Sequence, residues 1–242
     1  MALGSQPRWN VRTAGGLGTD VDVGLRDYML RIYNYMASGL ALTGIVAYVF
    51  AQYLAANPAL ARSPLMFVLM LAPIGLVMWL SFGIERMQAS TAQALFWVYA
   101  GVMGLSLASV FLVFTGESIA RVFFITAGTF GAMSLYGYTT QRDLTQWGSF
   151  LFMGLIGIIL ASLVNIFLAS SALAFAISVI GVIVFVGLTA WDTQRIKESY
   201  YEYQYADGQA AGKMAIMGAL QLYLDFINLF VMLLQLFGAR RD

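Results

Sequence analysis

Seven apolar runs of about 20 residues or more dominate this 242-residue sequence, and each can cross a hydrocarbon core of about 30 Å. Hydrophobic residues make up 60% of the chain and charged residues 10%, whereas a soluble domain carries about 25% charged residues. The sequence therefore predicts an all-α integral membrane protein. Turn residues and charges separate the predicted helices, which cover residues 27–55, 65–84, 92–114, 118–139, 146–168, 173–193 and 214–237.

The segments outside these runs predict the domain organisation and the orientation. Residues 1–26 are too polar for a signal-peptide core, so we expect a flexible tail followed by one seven-helix membrane domain over residues 27–242. Lys and Arg concentrate in the loops that lie on the same side of the membrane as the N-terminus. Because such residues favour cytoplasmic loops, this predicts a cytoplasmic N-terminus and an outer C-terminus. Arg240 and Arg241 are the exception, since this orientation places them outside. A re-entrant last run would bring them inside, but the length of that run favours full spanning.

Two residue types are missing from the chain, and their absence limits its chemistry. With no cysteine and no histidine, disulfides, thiolate chemistry and the usual zinc or haem ligands are excluded, so no resident cofactor is expected. The net charge of +1 comes without a basic patch, which argues against nucleic acid as a partner. Any response to pH must come from carboxyl groups.

Two aspartates lie in or beside the last two apolar runs. Asp225 is inside the seventh run and Asp192 closes the sixth; a carboxylate at membrane depth costs roughly 2.5 to 3.5 kcal/mol, so it is expected to face a bundle interior. The polar residues of the seventh run share one helical face, and this stripe predicts a central last helix surrounded by the other six. Its members are Gln221, Asp225, Asn228 and Gln235.

The two acids have a functional and a structural interpretation. If they touch, Asp192 and Asp225 share a proton and respond to pH as a unit, and in the ionised state they offer the hard oxygen ligands that Ca²⁺ prefers. Alternatively, Asp225 only bonds neighbouring polar groups, and Asp192 is an interfacial residue beside Arg195 and Lys197.

Two other membrane-protein classes fit poorly, and no enzymatic activity is expected. A paired-aspartate protease would carry Gly-x-Gly-Asp at its second acid, but Asp225 follows Leu-Tyr-Leu, and the one Pro-Ala-Leu, residues 58–60, lies in the first loop. A retinal protein needs a lysine within a helix, and both lysines, Lys197 and Lys213, lie in the predicted long loop over residues 194–213.

Three motifs resemble those of a known family. Residues 222–230 read Leu-Tyr-Leu-Asp-Phe-Ile-Asn-Leu-Phe, residues 191–194 read Trp-Asp-Thr-Gln, and residues 137–144 read Gly-Tyr-Thr-Thr-Gln-Arg-Asp-Leu. They resemble the transmembrane Bax inhibitor motif family, also called the Bax inhibitor-1 family, and the resemblance covers the chain after about residue 26.

The resemblance implies a seven-helix fold with a central last helix and a pH-sensitive Ca²⁺ leak gated by an aspartate pair, here Asp192 and Asp225. An arginine after the second helix can latch this pair in some members; here Glu85 precedes Arg86, so the latch is shifted or missing. The family is also implicated in suppressing cell death and, in bacteria, in modulating a membrane AAA protease. We therefore expect an inner-membrane Ca²⁺ leak channel or, alternatively, a regulatory interaction protein.

Overall fold

A computed structural model describes residues 15–203 and 208–241, and it confirms the all-α membrane fold. Within these residues seven helices are long and apolar enough to cross a membrane. Two short elements lie between them, a one-turn helix after the first long helix and a 3₁₀ turn at residues 84–86. The helices are α1 Gly15–Ala56, α2 Pro58–Ala61, α3 Pro64–Gly83, α4 Ala89–Val113, α5 Gly116–Thr139, α6 Thr145–Leu168, α7 Ser171–Tyr203 and α8 Gly208–Phe237.

Three helix ends extend beyond the apolar runs that predict them. α1 begins at Gly15, so the predicted boundary at residue 27 falls inside a helix, and residues 1–14 of the predicted tail lie outside the described residues. α7 continues to Tyr203 and α8 already begins at Gly208. The expected long loop over residues 194–213 is thus mostly helical. Hydropathy marks only the part of a helix that lies in lipid, whereas a helix continues into water wherever its polar residues permit.

α8 lies at the centre of the bundle, as its polar stripe predicts. In its most apolar 18-residue window 67% of the residues are buried, against 11% in α6. It packs against α1, α4, α5 and α7. The expectation that all six other helices surround α8 is wrong for two of them, because α3 packs mainly on α4 and α6 packs on α7. The apolar outer faces of α3 and α6 are therefore left for lipid.

The two ends of α8 reach opposite ends of α4. At the start of α8, the Gln209 side-chain oxygen accepts a hydrogen bond of 3.0 Å from the Ala89 amide. Beyond its other end, the Arg241 amide donates to the Val113 carbonyl at 2.9 Å. At 30 residues α8 is about 45 Å long, so it crosses the bundle completely and is not re-entrant.

Two glycines mark close contacts between helices. A Cβ added to Gly104 would lie 2.7 Å from the Thr43 carbonyl oxygen on α1, and one added to Gly154 would lie 2.9 Å from Val184 on α7. Gly101 and Gly157, about one turn away on the same two helices, face open space. Tight packing over small residues therefore accounts for Gly104 and Gly154 but not for these two.

Candidate functional site

The structure brings Asp192 of α7 and Asp225 of α8 together. Their carboxyl groups lie within hydrogen-bonding reach of each other. Asp192 is 4% exposed and Asp225 is 5% exposed, and among residues 23–202 and 208–241 these are the only charged side chains that are buried. Two carboxylates both lack a hydrogen-bond donor, so such a contact requires a shared proton or a cation between them.

Few other polar groups reach the pair. The Gln221 carboxamide, one turn before Asp225 on α8, donates a hydrogen bond to Oδ1 of Asp192. Oδ2 of Asp225 is buried and has no hydrogen-bond partner among the described residues. Arg195 acts on Asp192 through its charge, but its guanidinium lies over the Trp191 ring, 5.4 Å from the ring centre. The pair therefore has one amide donor and an unsatisfied oxygen.

The position of Asp192 depends on the residues that follow it in α7. The Gln194 side chain accepts from the Leu144 amide at 2.9 Å and donates to the Arg142 carbonyl at 2.8 Å, which fixes the connection between α5 and α6. Lys197 donates to the Tyr138 carbonyl at 2.8 Å. The motifs at residues 137–144 and 191–194 are thus bonded to each other and form one structural unit. Gln194 belongs to the Trp-Asp-Thr-Gln motif, but the motif by itself does not indicate which backbone groups its side chain bonds.

Glycines allow α7 to approach its neighbours beside Asp192. A Cβ on Gly137 of α5 would lie 2.2 Å from the Ala190 carbonyl oxygen, and one on Gly148 of α6 would lie 2.2 Å from the Trp191 ring. Both distances are far shorter than a van der Waals contact. The two residues before Asp192 are therefore held close to both neighbours, Ala190 against α5 through its backbone and Trp191 against α6 through its ring.

The polar stripe of α8 faces α7. Gln221 bonds Asp192, and the Gln235 side-chain oxygen accepts from the buried Ser178 hydroxyl at 2.7 Å. The partners are fourteen residues apart on each helix, which is the register of two antiparallel helices in continuous contact. Asn228 is half-buried on this stripe between the two bonds.

The opposite face of α8 is held by a second polar contact in an aromatic setting. Thr43 of α1 donates to the Ala100 carbonyl of α4 at 2.8 Å and accepts from the Tyr223 hydroxyl at 2.6 Å. The Tyr223 ring makes edge contacts with Phe96 and Tyr99. α8 is thus fixed against α1 and α4 on one side and presents Asp225 on the other.

The predicted latch residues lie apart from the aspartate pair. Arg86 lines a surface pocket beside Trp79 and Phe82, and within the described residues it forms no ion pair with Asp192 or Asp225. The Glu85 carbonyl accepts a hydrogen bond of 3.2 Å from Lys213 near the start of α8. In this conformation the Glu85 backbone contacts α8 through Lys213, and neither Glu85 nor Arg86 is paired with the acids.

This donor set suits a transient cation better than a tightly held one. Ca²⁺ takes six to eight oxygen ligands, and no cluster of three or more acidic side chains exists in the described residues. The Asp192 and Asp225 carboxyl groups could contribute up to four oxygens, so the remaining ligands would have to be water or backbone carbonyls. A cation bound between the two acids would displace their shared proton, and with so few fixed ligands it would be held only weakly.

Comparisons with known proteins place the chain in a family. Residues 25–242 match the family model described as "Inhibitor of apoptosis-promoting Bax1". An uncharacterized protein of Rickettsia prowazekii is 52% identical over 221 residues, covering 91% of this chain and 93% of the relative. The inner membrane protein YbhL of Escherichia coli K12 is 50% identical over 219 residues, covering 90% and 94%. An uncharacterized membrane protein of Streptococcus pyogenes is 34% identical over 222 residues, covering 91% and 96%. The chain therefore belongs to the Bax inhibitor-1 family.

Proposed function

We propose that this protein is a pH-sensitive Ca²⁺ leak channel of the inner membrane, with Asp192 and Asp225 as its ion site and proton sensor. The observation that carries the proposal is the contact between these two buried carboxyl groups. Buried charges inside a membrane bundle are unfavourable and commonly mark ion or proton pathways. The name of the relative YbhL supports the inner membrane as the location.

The weakness of the site is consistent with a leak. Conduction requires an ion to bind well enough to enter a pore and weakly enough to leave it. Two carboxyl groups with a single amide donor from Gln221 meet this requirement better than a complete ligand cage would. Both acids are almost completely buried, so flux in this proposal requires a second conformation that exposes the pair to water.

Sensitivity to pH follows from the same contact. A proton shared by Asp192 and Asp225 occupies the oxygens that would bind the cation, so protons and Ca²⁺ compete for one site. Histidine is absent from the whole sequence. The paired carboxyl groups therefore carry the response in this proposal.

Flux through the purified protein in liposomes tests the proposal directly. Ca²⁺ entry is followed with an enclosed fluorescent indicator for the wild type, Asp225→Asn and Asp192→Asn, with Asp27→Asn as control because Asp27 is an exposed aspartate near the start of α1. We expect both site variants to lose most of the flux and the control to keep it. Equal flux in all four proteins would overturn the proposal.

The alternative is a regulator that docks on a membrane AAA protease, with the aspartates in a structural role. Its support is the part of α7 beyond the sixth apolar run, on the side predicted to be cytoplasmic, where Arg195, Glu198 and Glu202 are exposed. The liposome experiment separates the two functions because it contains no partner. Absence of Ca²⁺ flux from well-folded wild-type protein would favour the regulator.

A further inference from the structure

A cavity separate from the aspartate pair lies between α1, α4, α5 and α8. Its volume is about 450 Å³, within the range of about 300 to 1,000 Å³ that is typical of small-molecule sites. The walls are almost entirely apolar; Leu40, Val110, Phe123, Phe226 and Phe230 are among them. A cavity of this kind favours a hydrocarbon ligand over an ion.

The cavity is bordered by two helices that leave a gap between them. α1 and α5 both line it and are not closely packed beside it; their side chains meet farther along, where the Tyr33 and Ser134 hydroxyls form a hydrogen bond. The exposed faces beside this gap are apolar; Tyr48 of α1 and Phe124 of α5 are 55% and 72% exposed. Since these faces lie at membrane depth, a ligand can enter the cavity sideways from the lipid.

One end of the cavity is polar, whereas the rest is apolar. Arg241 and Gln52 line it at the end where α1 finishes and α5 begins. The polar group further in, the Thr43 hydroxyl, is already bonded to Ala100 and Tyr223. A cation at the mouth and an apolar interior match an amphiphile that has an anionic head and a hydrocarbon chain.

The backbone fixes the position of Arg241. Residues after α8 pair with the α4–α5 connection: the Thr115 amide donates to the Ala239 carbonyl at 3.0 Å, and the Arg241 amide donates to the Val113 carbonyl at 2.9 Å. Phe114 and Arg240 form an antiparallel bridge between these bonds. These bonds hold the backbone of Arg241 at the cavity mouth, from where its guanidinium can reach a phosphate oxygen and bind it with a charge-assisted hydrogen bond.

We propose that this cavity binds one acyl chain of an anionic phospholipid from the surrounding bilayer, with the phosphate of its head group at Arg241. The charge of Arg241 selects the anionic head, and the apolar walls select the chain. Because neither Asp192 nor Asp225 lines this cavity, the proposal stands whether or not the protein conducts Ca²⁺.

Native mass spectrometry of the purified protein tests the site, using added phosphatidylglycerol, zwitterionic phosphatidylcholine and free palmitate as probes. Gly44→Leu fills the cavity without a backbone clash, because Gly44 lines it and a Cβ there meets nothing within 4 Å. Gly75→Leu is the control, since Gly75 on the exposed face of α3 is equally open. Arg241→Gln removes the charge and keeps the polarity.

We expect the wild type and Gly75→Leu to retain one phosphatidylglycerol through delipidation and Gly44→Leu to lose it. Arg241→Gln should bind it about tenfold more weakly, the factor that corresponds to one charge-assisted hydrogen bond. Equal retention of phosphatidylcholine, preferential retention of palmitate, or equal phosphatidylglycerol binding by Gly44→Leu would overturn the proposal. Thermal unfolding with and without phosphatidylglycerol verifies that each variant is folded.

Discussion

The carboxamide of Gln221 donates a hydrogen bond to the Asp192 carboxyl group from the turn of α8 that precedes Asp225. α8 thus supplies both the second acid and the amide that holds the first. Since the bond joins α7 to α8 at the buried pair, loss of the carboxamide should affect stability and flux together.

We expect Gln221→Met to destabilise the protein by about 1 to 3 kcal/mol, because a buried carboxyl oxygen loses its donor while the side-chain length is kept. Ca²⁺ flux should change in the same variant. Thermal unfolding in detergent and liposome flux provide the two measurements. Gln146→Met is the control, since Gln146 is exposed on α6; similar losses in both variants would contradict a specific role for Gln221.

The Ca²⁺ flux of the wild type should change with pH across about pH 6 to 8. Asp192→Asn and Asp225→Asn should both lose this change, because a shared proton needs both carboxyl groups. Flux in liposomes buffered across that range is the measurement. An unchanged response in both variants would assign the sensor to another acid.

One alternative sensor already fits that range poorly. Asp143 lies in the α5–α6 connection, and hydrogen bonds from the Thr145 hydroxyl and amide lower the pKa of its carboxyl. The amide bond measures 2.8 Å. Asp143 therefore stays ionised throughout the neutral range, and it would lose its charge only in more acidic solution. Glu85 and Glu117 remain the acids to test if the pair is not the sensor.

Gly137→Ala should destabilise the protein by roughly 1 to 3 kcal/mol, the usual effect of forcing an extra methyl group into a packed contact. The added Cβ would lie 2.2 Å from the Ala190 carbonyl oxygen, and backbone cannot rotate away as a side chain can. Gly128→Ala on the same helix meets nothing within 4 Å and should be neutral or slightly stabilising. Thermal unfolding of the two variants under the same conditions tests this prediction. Equal melting temperatures would contradict the close approach of α5 to α7.

The predicted orientation puts the N-terminus in the cytoplasm and the C-terminus outside. The chain contains no cysteine, so single cysteines at Ser5 and Ala239 can be labelled in intact cells with a reagent that does not cross the membrane. We expect labelling at residue 239 alone. Labelling at both positions, or only at residue 5, would contradict the orientation.

Hydropathy predicted the number and order of the spanning helices, because apolar length is set by the thickness of the bilayer. The stripe through Gln221, Asp225 and Asn228 also predicted a central α8, since a polar face cannot point to lipid. The side-chain bonds of Gln194 could not be predicted. Its partners Arg142 and Leu144 are about fifty residues away along the chain, and a single sequence contains no signal for such a pairing.

The helix ends were misjudged for a related reason. Polar residues around Lys197 and Lys213 indicate where the membrane stops, but both lysines belong to helices.

The Arg86 latch was suggested by its place after the second helix. Whether it reaches the acids depends on helix positions, and in the structure α3 packs mainly on α4, at the edge of the bundle.

The bridge between Phe114 and Arg240 makes the last residues part of the folded domain. A chain truncated after Phe237 would lose three hydrogen bonds that hold this segment to α4, α5 and their connection. They run from the Thr115 amide to the Ala239 carbonyl, from the Arg241 amide to the Val113 carbonyl, and from the Ala239 amide to the Ser118 hydroxyl. Affinity tags and fluorescent fusions at this terminus therefore need a spacer after Asp242, because a rigid fusion would pull on the connection that joins two membrane helices. An N-terminal fusion leaves these bonds untouched.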